Sequence, residues 1–233
     1  MRLIFYVEGQ TEQAYVTRVL ATHLANFGVF AEHSILPITG RRRGQAFKGG
    51  GKSFEKVRRQ FGNLLKQHDQ AEVRFTTMFD LYGLFPDLPG RDQAEKLRSD
   101  PWARVRFLEK SFADEFADPR VIPHLQLHEF ETILLAGPEE LGLFLENARA
   151  AIDELTAAVQ KVGEAELVND GESTAPSKRI AACFPSFDRL KTTVGVEWAE
   201  CVGLKRTRQS CPHFHECLLN LESLGSPPAC EPT

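Results

Sequence analysis

Two rhythms of apolar and polar positions divide this chain into elements. Leu3 to Val7 is an unbroken apolar run with no three-to-four residue spacing. Such a run predicts a strand buried on both faces, as in a parallel sheet. Glu8-Gly9-Gln10-Thr11 reads as a tight turn, with Thr11 as the expected N-cap of a helix. From Glu12 onward Tyr15, Val16, Val19, Leu20 and Leu24 recur at helical spacing. The pattern then predicts a strand over Phe30 to Ile38, an amphipathic helix over Phe54 to Gln67, and a β-prone strand from Val73 to Phe79 that ends at Asp80. Gln93 to Phe116 is helical in pattern, and Val121 to Leu127 reads as another strand. Phe130 to Ala136 either opens a helix or continues that strand. Leu141 to Leu167 is helical with a break near Gly163, and Ser177 to Leu224 reads as helices.

The segments between are of a different kind. Gly40 to Lys52 is rich in Gly, Arg and Lys without periodicity, which predicts a surface loop. Leu81 to Gly90 holds two Gly and two Pro and reads as a loop of the active-site type. Asn169 to Pro176 is a polar linker. The expected organisation is an α/β, Rossmann-like metal-binding domain over residues 1–168. A helical region over 169–224 completes the same domain, and 225–233 form a flexible Pro-rich tail.

In sheets of mostly parallel strands, ligands gather outside the carboxyl ends of the strands. Acids fall at three such ends: Glu8 after the first strand, Asp80 after a central one, and Glu129 and Glu131 in His128-Glu-Phe-Glu131 after another. Glu12 lies one helical turn beyond Glu8, so both carboxylates share one side of the strand-to-helix junction. Two adjacent carboxylates repel unless a cation lies between them, and a hard ion such as Mg²⁺ takes oxygen ligands. The competing reading of Glu12 is a helix first-turn acid favoured by the macrodipole. For Asp80 it is a turn former, and for Glu129 and Glu131 a solvated edge. Asp87, in the loop, reads as solvated.

Composition narrows the picture. The chain has 233 residues and a net charge of −4, so a polyanion partner must meet a local basic patch. Arg41, Arg42, Arg43, Lys48 and Lys52 supply one, in the Gly-rich loop. Gly51-Lys52-Ser53 evokes a P-loop, but Ala46 stands where that motif needs its first Gly. Lys178 and Arg179 follow the polar linker, and Lys178 is placed to reach back toward a phosphate at the metal site. Lys205, Arg206 and Arg208 read as a solvated helix face. Five cysteines, all in the last quarter, include Cys211 and Cys217 flanking His213 and His215; that spacing matches no standard zinc finger and reads as reduced thiols. No signal peptide or membrane span is visible, and a cytoplasmic location is expected.

Val7-Glu8-Gly9-Gln10-Thr11-Glu12 resembles the first motif of TOPRIM domains, in particular that of the overcoming-lysogenization-defect (OLD) nucleases. With Asp80-Leu-Tyr-Gly-Leu-Phe-Pro-Asp-Leu-Pro-Gly90, His128-Glu-Phe-Glu131, Pro176-Ser-Lys-Arg179 and Cys211-Pro-His-Phe214, the chain is similar to the DUF4276 family of TOPRIM-like proteins up to about Leu224. The resemblance implies a parallel-sheet α/β fold that binds Mg²⁺ or Mn²⁺ and acts on nucleic-acid backbones. Glu8 and Glu12 would hold metal, Asp80 would stand for the first acid of the DxD motif, and Glu129 and Glu131 would lie near the second metal. Lys178 would match the lysine that neutralises transition-state charge. Tyr82 departs from the pattern where a second Asp is expected. Asp87 or the Glu129/Glu131 pair would then replace it, or metal binding would be weak.

The expected function is a metal-dependent nuclease for DNA or RNA, catalysed by Glu8, Asp80 and Lys178, with Arg41, Arg42, Arg43, Lys48, Lys52 and Arg179 contacting nucleic acid. By the resemblance it acts in phage defence with an AAA/ABC-type ATPase partner. The alternative is a non-catalytic subunit that binds nucleic acid and the ATPase. A small-molecule phosphoryl-transfer enzyme is a third reading.

Overall fold

The computed structural model describes residues 1–35, 53–168 and 174–225. Four strands form an all-parallel sheet in the order β2-β1-β3-β4. They are β1 (Arg2–Val7), β2 (Phe30–Ile35), β3 (Val73–Asp80) and β4 (Leu125–Gln126). The chain passes from β1 outward to β2, then crosses back to β3 on the other side of β1. The order of strands therefore reverses between β1 and β3, and the space outside their carboxyl ends is where sheets of this kind bind ligands.

The apolar run of the first strand is explained by helices on both faces of the sheet. Leu3, Phe5 and Val7 join one apolar cluster, with Tyr15, Val16, Leu20 and Leu24 from the helical stretch after β1. Ile4 and Tyr6 join the other, with Phe54, Val57 and Phe61 of α3 (Phe54–Gln67) and Val105, Leu108 and Phe112 of α5 (Pro101–Phe116). The C-terminal helices belong to the first cluster. Trp198 of α10 (Val196–Ser210) and Phe214, Leu218 and Leu221 of α11 (Pro212–Glu222) are buried with β1.

Several elements differ from the pattern reading for local reasons. The first helix starts at Gln10, with Gly9 rather than Thr11 at the N-cap position, and runs as α1 (Gln10–Tyr15), a π-helical stretch Val16–Leu20 and α2 (Ala21–Ala25). The expected single helix from Gln93 to Phe116 is two, α4 (Arg91–Glu95) and α5. Pro101 lacks an N–H and begins a new helix, and the Asp100 side chain caps it by accepting from the Ala103 N–H at 3.0 Å. The expected strand Val121 to Leu127 is reduced to two paired residues plus one bridge between Phe75 and Val121, because Pro123 cannot donate to a ladder. Phe130 to Ala136 takes its helical alternative as α6 (Thr132–Leu135). Beyond it lie a 3₁₀ turn Pro138–Leu143, α7 (Arg149–Val162), and a 3₁₀ turn Ala165–Leu167, with Gly163 at φ +93° making the break. The rest is α8 (Pro176–Cys183), α9 (Phe187–Leu190), a π-helical turn Lys191–Gly195, α10 and α11.

Among the described residues no helix is long and apolar enough to cross a membrane. Arg41, Arg42, Arg43, Lys48 and Lys52, the end of the second strand from Leu36 to Ile38, part of the linker and residues 226–233 lie outside the described residues.

Candidate metal centre

The acids at the strand ends meet at the switch point between β1 and β3. Glu8 follows β1 directly; its N–H donates to Met78 O at 3.3 Å, and its Oε2 accepts from the Asp80 N–H at 3.3 Å. Asp80 in turn uses Oδ1 to accept from the Phe130 N–H at 2.9 Å, and Glu129 Oε2 accepts from the Ser177 N–H at 2.8 Å. Each carboxylate thus ties the end of its own element to the next one. β1, β3, the turn after β4 and the start of α8 are linked in series.

Burial sharpens the electrostatics. Glu12, Glu129 and Glu131 are 8%, 8% and 3% exposed. Burial raises Glu12 to about 7, reinforced by the charges of Glu8 and Glu131. Asp80 is pushed well above the usual carboxylate range by burial and by Glu8, Glu12, Glu131 and Glu129 together. Glu131 is raised mainly by burial, against the opposing pull of Lys191. In each case burial leads and neighbouring carboxylates add to it, four of them at Asp80, and a divalent cation would relieve the same repulsion. Gly9 belongs to this arrangement, since a Cβ there would stand 3.2 Å from Glu12 Oε2.

Glu129 and Glu131 do not reach the site by strand alternation. The chain turns at His128, a buried non-glycine residue at φ +64°, and the turn carries both carboxylates inward. Lys191 is the cation the sequence reading missed. Its Nζ stands 2.6 Å from Glu131 Oε1, and Glu131, Glu129 and Asp80 raise its pKa against the opposing effect of burial. It opens a π-helical turn, Lys191–Gly195, that packs against α1, the helix carrying Glu12. In the sequence it is an isolated lysine between Leu190 and Val194, with no motif to mark it. Lys178 is exposed in the first turn of α8, and the Arg179 side chain donates to Thr174 O at 2.7 Å.

Asp87 is engaged elsewhere. It caps α3, accepting from Ser53 Oγ at 2.9 Å and from the Phe54 N–H at 2.6 Å. These bonds hold its carboxyl low, overcoming the upward effect of burial. It does not replace the missing second Asp of the DxD pattern. Tyr82 at that place is 44% exposed, and its N–H donates to His128 O at 2.9 Å.

Of the motifs quoted from the sequence, all but Cys211-Pro-His-Phe214, which opens α11, contribute to this acidic group and the turns around it. The chain belongs to the DUF4276 family. The match, to a domain of unknown function (DUF4276), covers residues 7–222. It therefore spans all four strand ends and the C-terminal helices. No curated protein and no solved structure matches the chain. The five carboxylates expected from the sequence lie near enough to act on one another's charge, but they do not close into a group of ligand atoms within 4.8 Å. A tighter group lies elsewhere: among the described residues, ligand atoms of Glu109, His124 and His213 all fall within 4.8 Å of one another.

Proposed function

We propose that this protein is a divalent-metal-dependent phosphodiesterase acting on DNA or RNA, with Mg²⁺ or Mn²⁺ bound by Glu8, Glu12, Asp80 and the Glu129/Glu131 pair. One observation carries the reading: Glu8, Glu12, Asp80, Glu129 and Glu131 gather around three strand ends, and the buried Glu12, Asp80 and Glu131 among them hold their protons more tightly than ordinary carboxyls. A buried excess of negative charge of this kind is what a bound cation compensates. A divalent ion there would supply charge neutralisation at a scissile phosphate and lower the pKa of an attacking water. In this reading Glu8 and Asp80 are the carboxylates that act on the reacting phosphate. Lys191 lies inside the acidic group, and Lys178 and Arg179 lie on α8, whose Ser177 N–H holds Glu129. The restriction to nucleic acid rests on the TOPRIM resemblance and on the basic run Arg41 to Lys52. The same resemblance supplies the proposed role in phage defence and the AAA/ABC-type ATPase partner, and the proposed cytoplasmic setting comes from reading the cysteines as reduced thiols.

A second reading has its own support. With Tyr82 in place of an acid and an ammonium already paired to Glu131, the crevice suits one divalent ion better than two. A protein so equipped could bind nucleic acid and an ATPase without cutting.

Single-turnover assays on DNA and RNA with saturating enzyme and Mn²⁺, with and without the ATPase, test the proposal. Cleavage is expected for the wild type and a loss of about 10²–10³ in rate for Glu8→Gln and for Lys178→Met. Arg41, Arg42 and Arg43 changed together to Ala should flatten the slope of log K against log salt by up to about three. Binding without cleavage by the wild type on every substrate would favour the non-catalytic reading and overturn the enzymatic one.

A further inference from the structure

Beside the edge strand β4 lies a second group with different chemistry. Glu109 is on α5, His124 precedes β4, and His213 is in the first turn of α11. Both histidines are 4% exposed. Glu109 Oε1 stands 2.8 Å from His213 Nε2 and 3.6 Å from His124 Nδ1, and the two imidazoles stack with centroids 5.0 Å apart. Glu109 is itself held by the Leu125 N–H, which donates to the same Oε1 at 2.8 Å.

A hydrogen-bond relay settles which nitrogen of His124 is bare. Thr132 Oγ1 donates to Glu129 O at 2.9 Å, so it accepts from Gln126 Nε2 at 2.8 Å. The Gln126 amide is thereby oriented with Oε1 toward His124 Nε2 at 3.5 Å, and that nitrogen carries the hydrogen. Nδ1 is left as a lone pair, buried, without a hydrogen-bond partner, and facing the Glu109 carboxylate. A lone pair facing a carboxylate oxygen 3.6 Å away leaves a gap that a cation between them would satisfy.

We propose that Glu109, His124 and His213 form a binding site for a borderline divalent transition ion, with Zn²⁺ as the fitting member, separate from the carboxylate crevice. Imidazole nitrogens with one carboxylate are a zinc donor set, whereas Mg²⁺ prefers oxygens alone. Tetrahedral coordination at ordinary Zn–N and Zn–O lengths places ligand atoms about 3.3 Å apart, and the two measured separations from Glu109 bracket that value. Gln126 acts as the outer partner that fixes the His124 ring, a common arrangement around zinc. The three ligands also line a cavity of about 210 Å³ shared with Arg106, Glu216, Cys217 and Asn220, which leaves the fourth position to water or a small ligand. The site joins α5, the edge of the sheet and α11. An ion there would clamp the C-terminal helix onto the short edge strand.

The experiment uses the full chain, freed of metal by a chelator and then titrated with Zn²⁺ by calorimetry, with metal content counted after dialysis. One tightly held Zn²⁺ per chain is expected, retained in excess Mg²⁺ and in the Glu8→Gln/Glu12→Gln variant. His124→Gln and Glu109→Gln should each weaken binding at least about 10²-fold. Co²⁺ added to the wild-type protein should give the intense visible absorption of a tetrahedral site, a readout that needs no variant to fold. A folded wild-type chain that retains no Zn²⁺ would overturn the proposal. So would Zn²⁺ binding lost in Glu8→Gln/Glu12→Gln but kept in a folded His124→Gln.

Discussion

Glu12→Gln should make the metal-free protein more stable at pH 8, although it removes a side chain from the centre of the candidate site. Burial first, then Glu8 and Glu131, raise Glu12 from 4.5 to about 7. A carboxyl whose pKa is raised on folding binds more protons in the native state than in the unfolded chain. Stability is therefore lost as pH rises through that interval, and the full cost remains above it. At 1.36 kcal/mol per pKa unit the rise corresponds to about 3 kcal/mol, an upper figure because neighbouring groups relax. For a chain of this size that is roughly 6–12 °C in Tm. The neutral amide does not ionise, so the variant should gain up to this amount at pH 8 and little at pH 4. Its stability should also fall less steeply between about pH 4.5 and 7. Mn²⁺ should stabilise the wild type at pH 8, since it binds the folded acids, and should stabilise the variant much less. Thermal unfolding followed by circular dichroism across this pH range, with and without Mn²⁺, measures each quantity. A Glu12→Gln protein that is less stable than wild type at pH 8, with an unchanged pH slope, would refute the reasoning that the crevice stores uncompensated negative charge.

Two further outcomes follow from particular contacts. Lys191→Met leaves buried Glu131 without its ammonium, and urea unfolding at pH 8 should show a loss of roughly 1–3 kcal/mol that Mn²⁺ partly restores; the lower range applies because the lysine is 32% exposed. Glu166 is fully buried, raised to about 7 by burial, and accepts the N–H groups of His213 and Phe214 at 2.8 Å each. Glu166→Ala should cost roughly 2–4 kcal/mol by leaving both donors of the α11 first turn unsatisfied, and a change below about 0.5 kcal/mol in the urea midpoint analysis would show that this cap is dispensable.

The sequence determined the elements whose character is local. The apolar run Leu3 to Val7 could only be a strand covered on both sides, and the helical spacing from Phe54 to Gln67 matches α3 residue for residue. It also placed acids at three strand ends, because a carboxylate beside a buried strand stands out against apolar neighbours. Where a proline removes one N–H, the sequence marks the place but not how the chain responds. Pro101 divides a helix, and Pro123 limits a strand to Leu125–Gln126. Tertiary structure alone decided which distant groups meet. Strand order brought the ends of β1 and β3 together, and the His128 turn carried Glu129 and Glu131 to them. Packing of the Lys191 turn on α1 delivered a cation from the far end of the chain, and docking of α11 at the sheet edge set His213 beside Glu109 and His124. Such meetings are not legible in sequence because they depend on long-range packing of helices whose exposed and buried faces are each set locally, while their mutual register is set only when the shared core forms.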